Sequence, residues 1–148
     1  MKKAFLLIIC ITFFKTTYSQ SMEQKNIDPE IKNLTQELID NGTKYNLEYL
    51  NNIYDEKLKF IRINKDDTVE LLTKKDNMYF FESLKTSGAQ PLNSFAEFHY
   101  ADNDGKKGFI VLTRRMKQKD NEQEFLFNIY WEKMEDEWKI VRETVIVK

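Results

Sequence analysis

The sequence predicts an α+β domain with helices packed on one face of a mostly antiparallel sheet. Three observations predict it. Helical signals are concentrated before about Lys85, broken only by one strand pair. Four apolar-alternating segments then follow one another to the C-terminus. The connections between those four are short and hairpin-like, which makes sequential strands antiparallel neighbours. A chain of 148 residues suits one such domain.

The elements follow in order. "MKKAFLLIICITFFKTTYS" has a charged start, an apolar run from Ala4 to Phe14 and a small polar end. That is the pattern of a secretory signal peptide over residues 1–19. The run is shorter than the about 20 residues that span a bilayer. Cleavage is expected before Gln20 or before Met22, giving an exported chain, periplasmic or secreted, with no membrane attachment afterwards. Residues 20–27 are polar and read as a flexible N-terminus, and 28–148 as the domain. Asp28-Pro29 opens a first helix with Ile31, Leu34 and Leu38 on one face, and Asn41-Gly42 stops it. Asn46 caps a second, short helix. Two apolar runs around Asn64–Asp67 form a hairpin. Thr73 and Asp76 form a capping box for a third helix. "TSGAQPLNS" is a loop. "FAEFHYAD", "GFIVLTRRM", "EQEFLFNIYWEKM" and "EWKIVRETVIVK" are strands, joined at Asn103–Lys107, Lys117–Asn121 and Glu135-Asp136.

This order, with "NLEYLNNIYDEKLKF" early and "YWEKMEDEWKIVRE" late, resembles the nuclear transport factor 2-like superfamily over roughly residues 28–147. The resemblance implies a cone: three helices against a strongly bent six-stranded sheet. It also implies dimers formed through the sheet. In the enzymes of that superfamily it implies a carboxylate or histidine in the pocket. The first strand, "LKFIRIN", lacks the acid of an isomerase-like pattern.

Composition excludes several chemistries. The single cysteine, Cys10, falls in the signal, so the mature chain has no thiolate or disulfide. Loss of Lys2, Lys3 and Lys15 takes three of the 23 basic residues and none of the 24 acidic ones, moving the net charge from −1 to −4. Without clustered cations, nucleic acid is not an expected partner. One histidine and no mature cysteine give no metal centre, and four glycines read as turn residues give no phosphate loop. No cofactor is expected.

With Glu135-Asp136 as a two-residue turn, Glu132 opposes Lys139. Uninterrupted alternation then puts Phe125, Phe127, Ile129, Trp131, Trp138, Ile140 and Ile146 on the core face, together with Arg142. Leu126, Tyr130, Val141 and Val145 fall on the other face, an expected homodimer seam, where Asn128 opposes Glu143. Arg142, a cation on an apolar face, favours an anionic ligand in the cone. Trp131 and Phe127 would line that site from the sheet, and Tyr79 from the third helix. Glu97 and His99, two apart on a strand, form a candidate acid–base pair. Alternation sets them toward solvent, with Phe98 and Tyr100 inward. The function expected is therefore a non-catalytic binding domain. It would hold a small apolar or amphipathic ligand in the cone, or a protein partner on the sheet. The alternative is a small cofactor-free isomerase, dehydratase or hydrolase using His99.

Overall fold

The computed structural model describes residues 26–118 and 121–148. The expected signal peptide, residues 1–19, and most of residues 20–27 lie outside the described residues. Asn26 and Ile27 are not loose: Asn26 accepts a backbone hydrogen bond from Ala101, and Ile27 forms a parallel bridge with Ala101.

Helix α1 spans Pro29–Gly42, α2 Leu47–Ile53 and α3 Lys74–Thr86. Their starts follow the local chemistry. Asp28 Oδ1 accepts from the Ile31 amide at 3.0 Å, and Asn46 Oδ1 accepts from the Tyr49 amide at 3.3 Å. Thr73 and Asp76 close a reciprocal capping box. The strands are β1 Tyr54–Ile63, β2 Val69–Leu72, β3 Glu97–Asn103, β4 Lys107–Gln118, β5 Asn121–Met134 and β6 Glu137–Val147. They form one bent sheet in the order β2-β1-β6-β5-β4-β3. The β1–β6 pair is parallel and the others are antiparallel. The three helices pack against one face of it.

Helix α1 reaches the sheet at Gly108, where an added Cβ would lie 2.2 Å from Ile31 Cδ1. Gly108 is therefore a strand glycine of close approach, not the turn residue expected. Glu30 fastens the same corner, accepting from Trp138 Nε1 at 3.0 Å and from Asn103 Nδ2 at 2.7 Å.

The hairpin β5–β6 begins in the predicted register: Met134 pairs with Glu137 and Glu132 with Lys139. The alternation then breaks. Trp131 pairs with Ile140, but Tyr130 pairs with Arg142, leaving Val141 as a bulge. One extra residue reverses the facing of everything beyond it. Val145 and Val147 turn into the core, while Arg142 and Ile146 turn out. Two valines gain about 1.5–3 kcal/mol each on burial and a guanidinium stays in water, against the partial exposure of Ile146 and the desolvation of one carboxyl. It brings in Glu143. A second irregularity lies at His99, between the pairs Phe98–Leu112 and Tyr100–Val111. Phe98 faces inward as expected; Tyr100 does not, and shares the outer face with Val111.

Candidate functional site

Cross-strand partners define rows across the sheet. One inner row runs Leu72, Phe60, Glu143, Ile129, Ile110, Ala101. A carboxyl group thus stands in an apolar row, and Glu143 is only 5% exposed. Beside that row are two apolar clusters. The larger joins the helices to Ile110, Ile129, Trp131 and Ile140; the smaller holds Met116, Phe125, Val145 and Val147. Phe60 and Phe127, each half-buried, pack against both clusters. Phe81 of α3 packs against the larger one.

Three other polar side chains share this interior. Tyr54, at the start of β1, donates its hydroxyl to Glu143 Oε2 at 3.1 Å. Among the described residues this is the one hydrogen bond on that carboxyl. Asn77, buried on α3, sets its amide near the Tyr54 oxygen, and Nδ2 has no hydrogen-bond partner among the described residues. Arg114, on β4, donates Nη2 to the Asn93 carbonyl at 2.6 Å, and its Nε is likewise unpartnered. That bond ties the arginine to the loop after α3. The same loop is held by Tyr45 Oη on the Gln90 carbonyl and by the Leu92 amide on the Thr43 carbonyl.

The electrostatics follow from burial. Desolvation pushes the Glu143 carboxyl up from 4.5 to about 7, against the opposing effects of the Tyr54 hydrogen bond and the Arg114 charge. Burial, then the charge of Glu143, raises Tyr54 well above an ordinary phenol. Burial lowers Arg114, opposed by Glu143 and Asp40. Near neutrality Glu143 therefore exchanges a proton readily while Tyr54 keeps its own. The group can donate to, or accept from, one polar atom, with spare donors on Asn77 and Arg114 close by.

The residues singled out from sequence are distributed differently. Trp131 and Phe127 do face the interior; Trp131 is fully buried and packs against the helices. Tyr79 points to solvent at 73% exposure, and its neighbour Phe81 takes the inward place. Arg142 lies on the outer face, its guanidinium 5.6 Å from the Tyr130 ring. Tyr130 and Leu126 are on the outer face as expected, Val141 is the bulge and Val145 is core. His99 also sits outside the cone. Its Nε2 is 2.7 Å from Thr113 Oγ1 and its Nδ1 3.9 Å from Glu97 Oε1. Sequence reasoning missed Glu143, Tyr54, Asn77 and Arg114. One signal was present for Glu143: Trp138 and Ile140 share one parity, Val145 and Val147 the other, so the apolar face must switch between them.

Among the described residues no group of three or more His, Cys, Asp or Glu side chains is placed to hold a metal ion. No helix there is long and apolar enough to cross a membrane.

No protein-family model matches the chain, and no curated protein matches it in sequence. Solved structures do match. A nuclear transport factor 2-like protein of unknown function from Silicibacter pomeroyi superposes with a TM-score of 0.63 at 12% identity, over 80% of this chain and 92% of that one. The chain has the nuclear transport factor 2-like fold. A second such protein, from Cytophaga hutchinsonii, gives 0.63 at 15% identity, over 82% and 100% of the two chains. A third, from Rhodospirillum rubrum and described as of unknown function in nutrient uptake, gives 0.59 at 16%, over 82% and 99%. At these identities the likeness is one of fold, and in that fold Glu143 stands on the sheet face covered by the helices.

Proposed function

We propose that the domain is an exported binding module whose cone takes a small molecule with an apolar body and one oxygen-bearing head. The observation that carries this is the buried carboxyl of Glu143. It has one hydrogen bond among the described residues, and unpartnered donors on Asn77 and Arg114 share its interior. Buried polar groups are normally paired, and each one left unpaired costs about 1–3 kcal/mol. A carbonyl or hydroxyl head would satisfy them, and Phe60, Phe81 and Phe127 would flank the body.

Native mass spectrometry of the protein purified from its own host tests this. The expected spectrum shows a bound organic molecule, absent from a folded Glu143→Leu variant. The intact mass should also place the mature N-terminus at Gln20 or Met22. Ligand-free spectra for both proteins overturn the binding reading, and an intact residue 1–19 segment on the soluble protein overturns export.

A second reading has its own observation. A carboxyl titrating at about 7 beside a phenol is suited to proton transfer on that same head. In this fold the acid–base role then belongs to Glu143, because His99 lies on the opposite face. Turnover that vanishes in Glu143→Gln and survives in His99→Ala would favour the enzyme over the binding module.

A further inference from the structure

The outer face carries a groove of its own. An open groove of about 760 Å³ runs between the first half of β1 and the β3–β4 hairpin. Its floor is a row of cross-strand partners: Phe109, Tyr130, Arg142 and Lys59. Phe109 and Tyr130 stack with centroids 4.6 Å apart at 37°. Arg142 continues the stack over Tyr130. Lys57 lies two residues before Lys59 and lines the same groove.

The groove is lined by four cations, Lys57, Lys59, Lys107 and Arg142, and by four acids, Asp55, Asp102, Asp104 and Glu132. Among the described residues, Lys57, Lys59 and Arg142 have no carboxylate within ion-pair distance. Each acid has a hydrogen-bond or ion-pair partner, though a neutral amide or hydroxyl donor leaves the carboxylate's charge in place. Asp55 Oδ1 accepts from the Lys57 amide, and Asp104 Oδ1 accepts from the Lys106 and Lys107 amides. Asp102 accepts from the Tyr100 hydroxyl, and Glu132 faces Lys107 at 4.0 Å. The charges are set apart along the floor row: Asp102 pairs with Phe109 at one end, and Arg142 with Lys59 at the other, so the cations stand at one end of the aromatic pair.

We propose that this groove binds a small organic anion with a flat, unsaturated body, of the aryl carboxylate class. The carboxylate meets Arg142 and Lys59, and the ring lies against Tyr130 and Phe109. Stacking on Tyr130 holds the guanidinium in place before the ligand arrives, so less rotamer freedom is lost on binding. The bulge at Val141 creates the site: without it Arg142 would face the core.

The test is a nuclear magnetic resonance titration of the mature chain with 2-naphthoate, against 2-naphthylmethanol and inorganic phosphate. Saturable shifts at Tyr130, Phe109 and Arg142 are expected for naphthoate, with weaker binding of both controls. Arg142→Gln should weaken naphthoate about tenfold or more, and Lys59→Gln about threefold, as expected for losing a charge-assisted bond and a nearby charge. Both side chains are exposed, so circular dichroism should show an unchanged fold. Four results overturn the proposal: no saturable shift, phosphate or the neutral alcohol binding as tightly, affinity unchanged in Arg142→Gln, or shifts confined to Phe127 and Glu143. The last places the probe in the cone and leaves the cone reading standing.

Discussion

Glu143 is the residue on which the interior turns. Its folded pKa, about 7, lies above the ordinary 4.5, so the folded state holds its proton more tightly than the unfolded chain. Stability from this group is greatest below the unfolded value and falls as pH rises from 4.5 to about 7, then levels. The shift corresponds to about 3 kcal/mol. Asp76 and Glu124 act with the opposite sign. Hydrogen bonds hold them low, from Thr73 for Asp76 and from Lys148 and Arg115 for Glu124. Their contribution is present above the unfolded value and is lost only as pH falls through the folded one. A comparison of the unmutated chain with Glu143→Gln cancels them. Urea unfolding at several pH values should show the unmutated chain losing about 3 kcal/mol relative to the glutamine variant between pH 4.5 and 7.5. Parallel profiles would mean that Glu143 is hydrated. None of this was readable from composition. The chemistry of a buried carboxyl depends on which way it faces, and one unpaired residue, Val141, decided that.

At the scale of elements, the local signals read well and the register between elements did not. Caps at Asp28, Asn46 and Thr73, and the turn at Glu135-Asp136, are short-range chemistry written in adjacent residues. Bulges at Val141 and His99 are set by what packs against the strand, and alternation alone carries no count of them. The hairpin therefore reverses one expectation. From sequence, Val145→Lys would leave a folded monomer. With Val145 in the cluster of Met116, Phe125 and Val147, the lysine would enter an apolar interior. Loss of cooperative folding at 37 °C is the expected outcome, read by circular dichroism. A folded Val145→Lys would show that the bulge is absent in solution. The turn allows the opposite kind of change. Glu135 and Asp136 both hold positive φ, 50° and 68°, a strained choice for side chains with a Cβ. Asn-Gly is the pair that type I′ turns favour. Glu135→Asn with Asp136→Gly should stabilise the domain by about 1 kcal/mol in urea unfolding.

For the molecule as a whole, three helices cover one face of six strands, and the other face is left to its own chemistry. That face divides in two. At one end is the aromatic groove around Tyr130 and Arg142. At the other is an aliphatic row of partners, Val69, Ile63, Ile146 and Leu126, beside Ile61 and Leu71. Leu71 is 76% exposed and Val69 58%, on a strand at the edge of the sheet. Exposed apolar side chains gathered in this way favour a partner surface. We propose that the partner is a second copy of the chain, meeting it at this end rather than across Val141 and Val145. A two-fold pairing here would bury each row against its mate and leave the groove open. Association costs about 4–15 kcal/mol, so a few aliphatic side chains from each copy support only a modest dimer. Sedimentation should therefore show a dimer that dissociates on dilution into the micromolar range. Leu71→Lys should abolish it without loss of fold, because the side chain already stands in water. Arg142→Gln should leave it intact. A chain monomeric at every concentration removes the second copy from this row, and a dimer lost in Arg142→Gln moves the seam onto the groove.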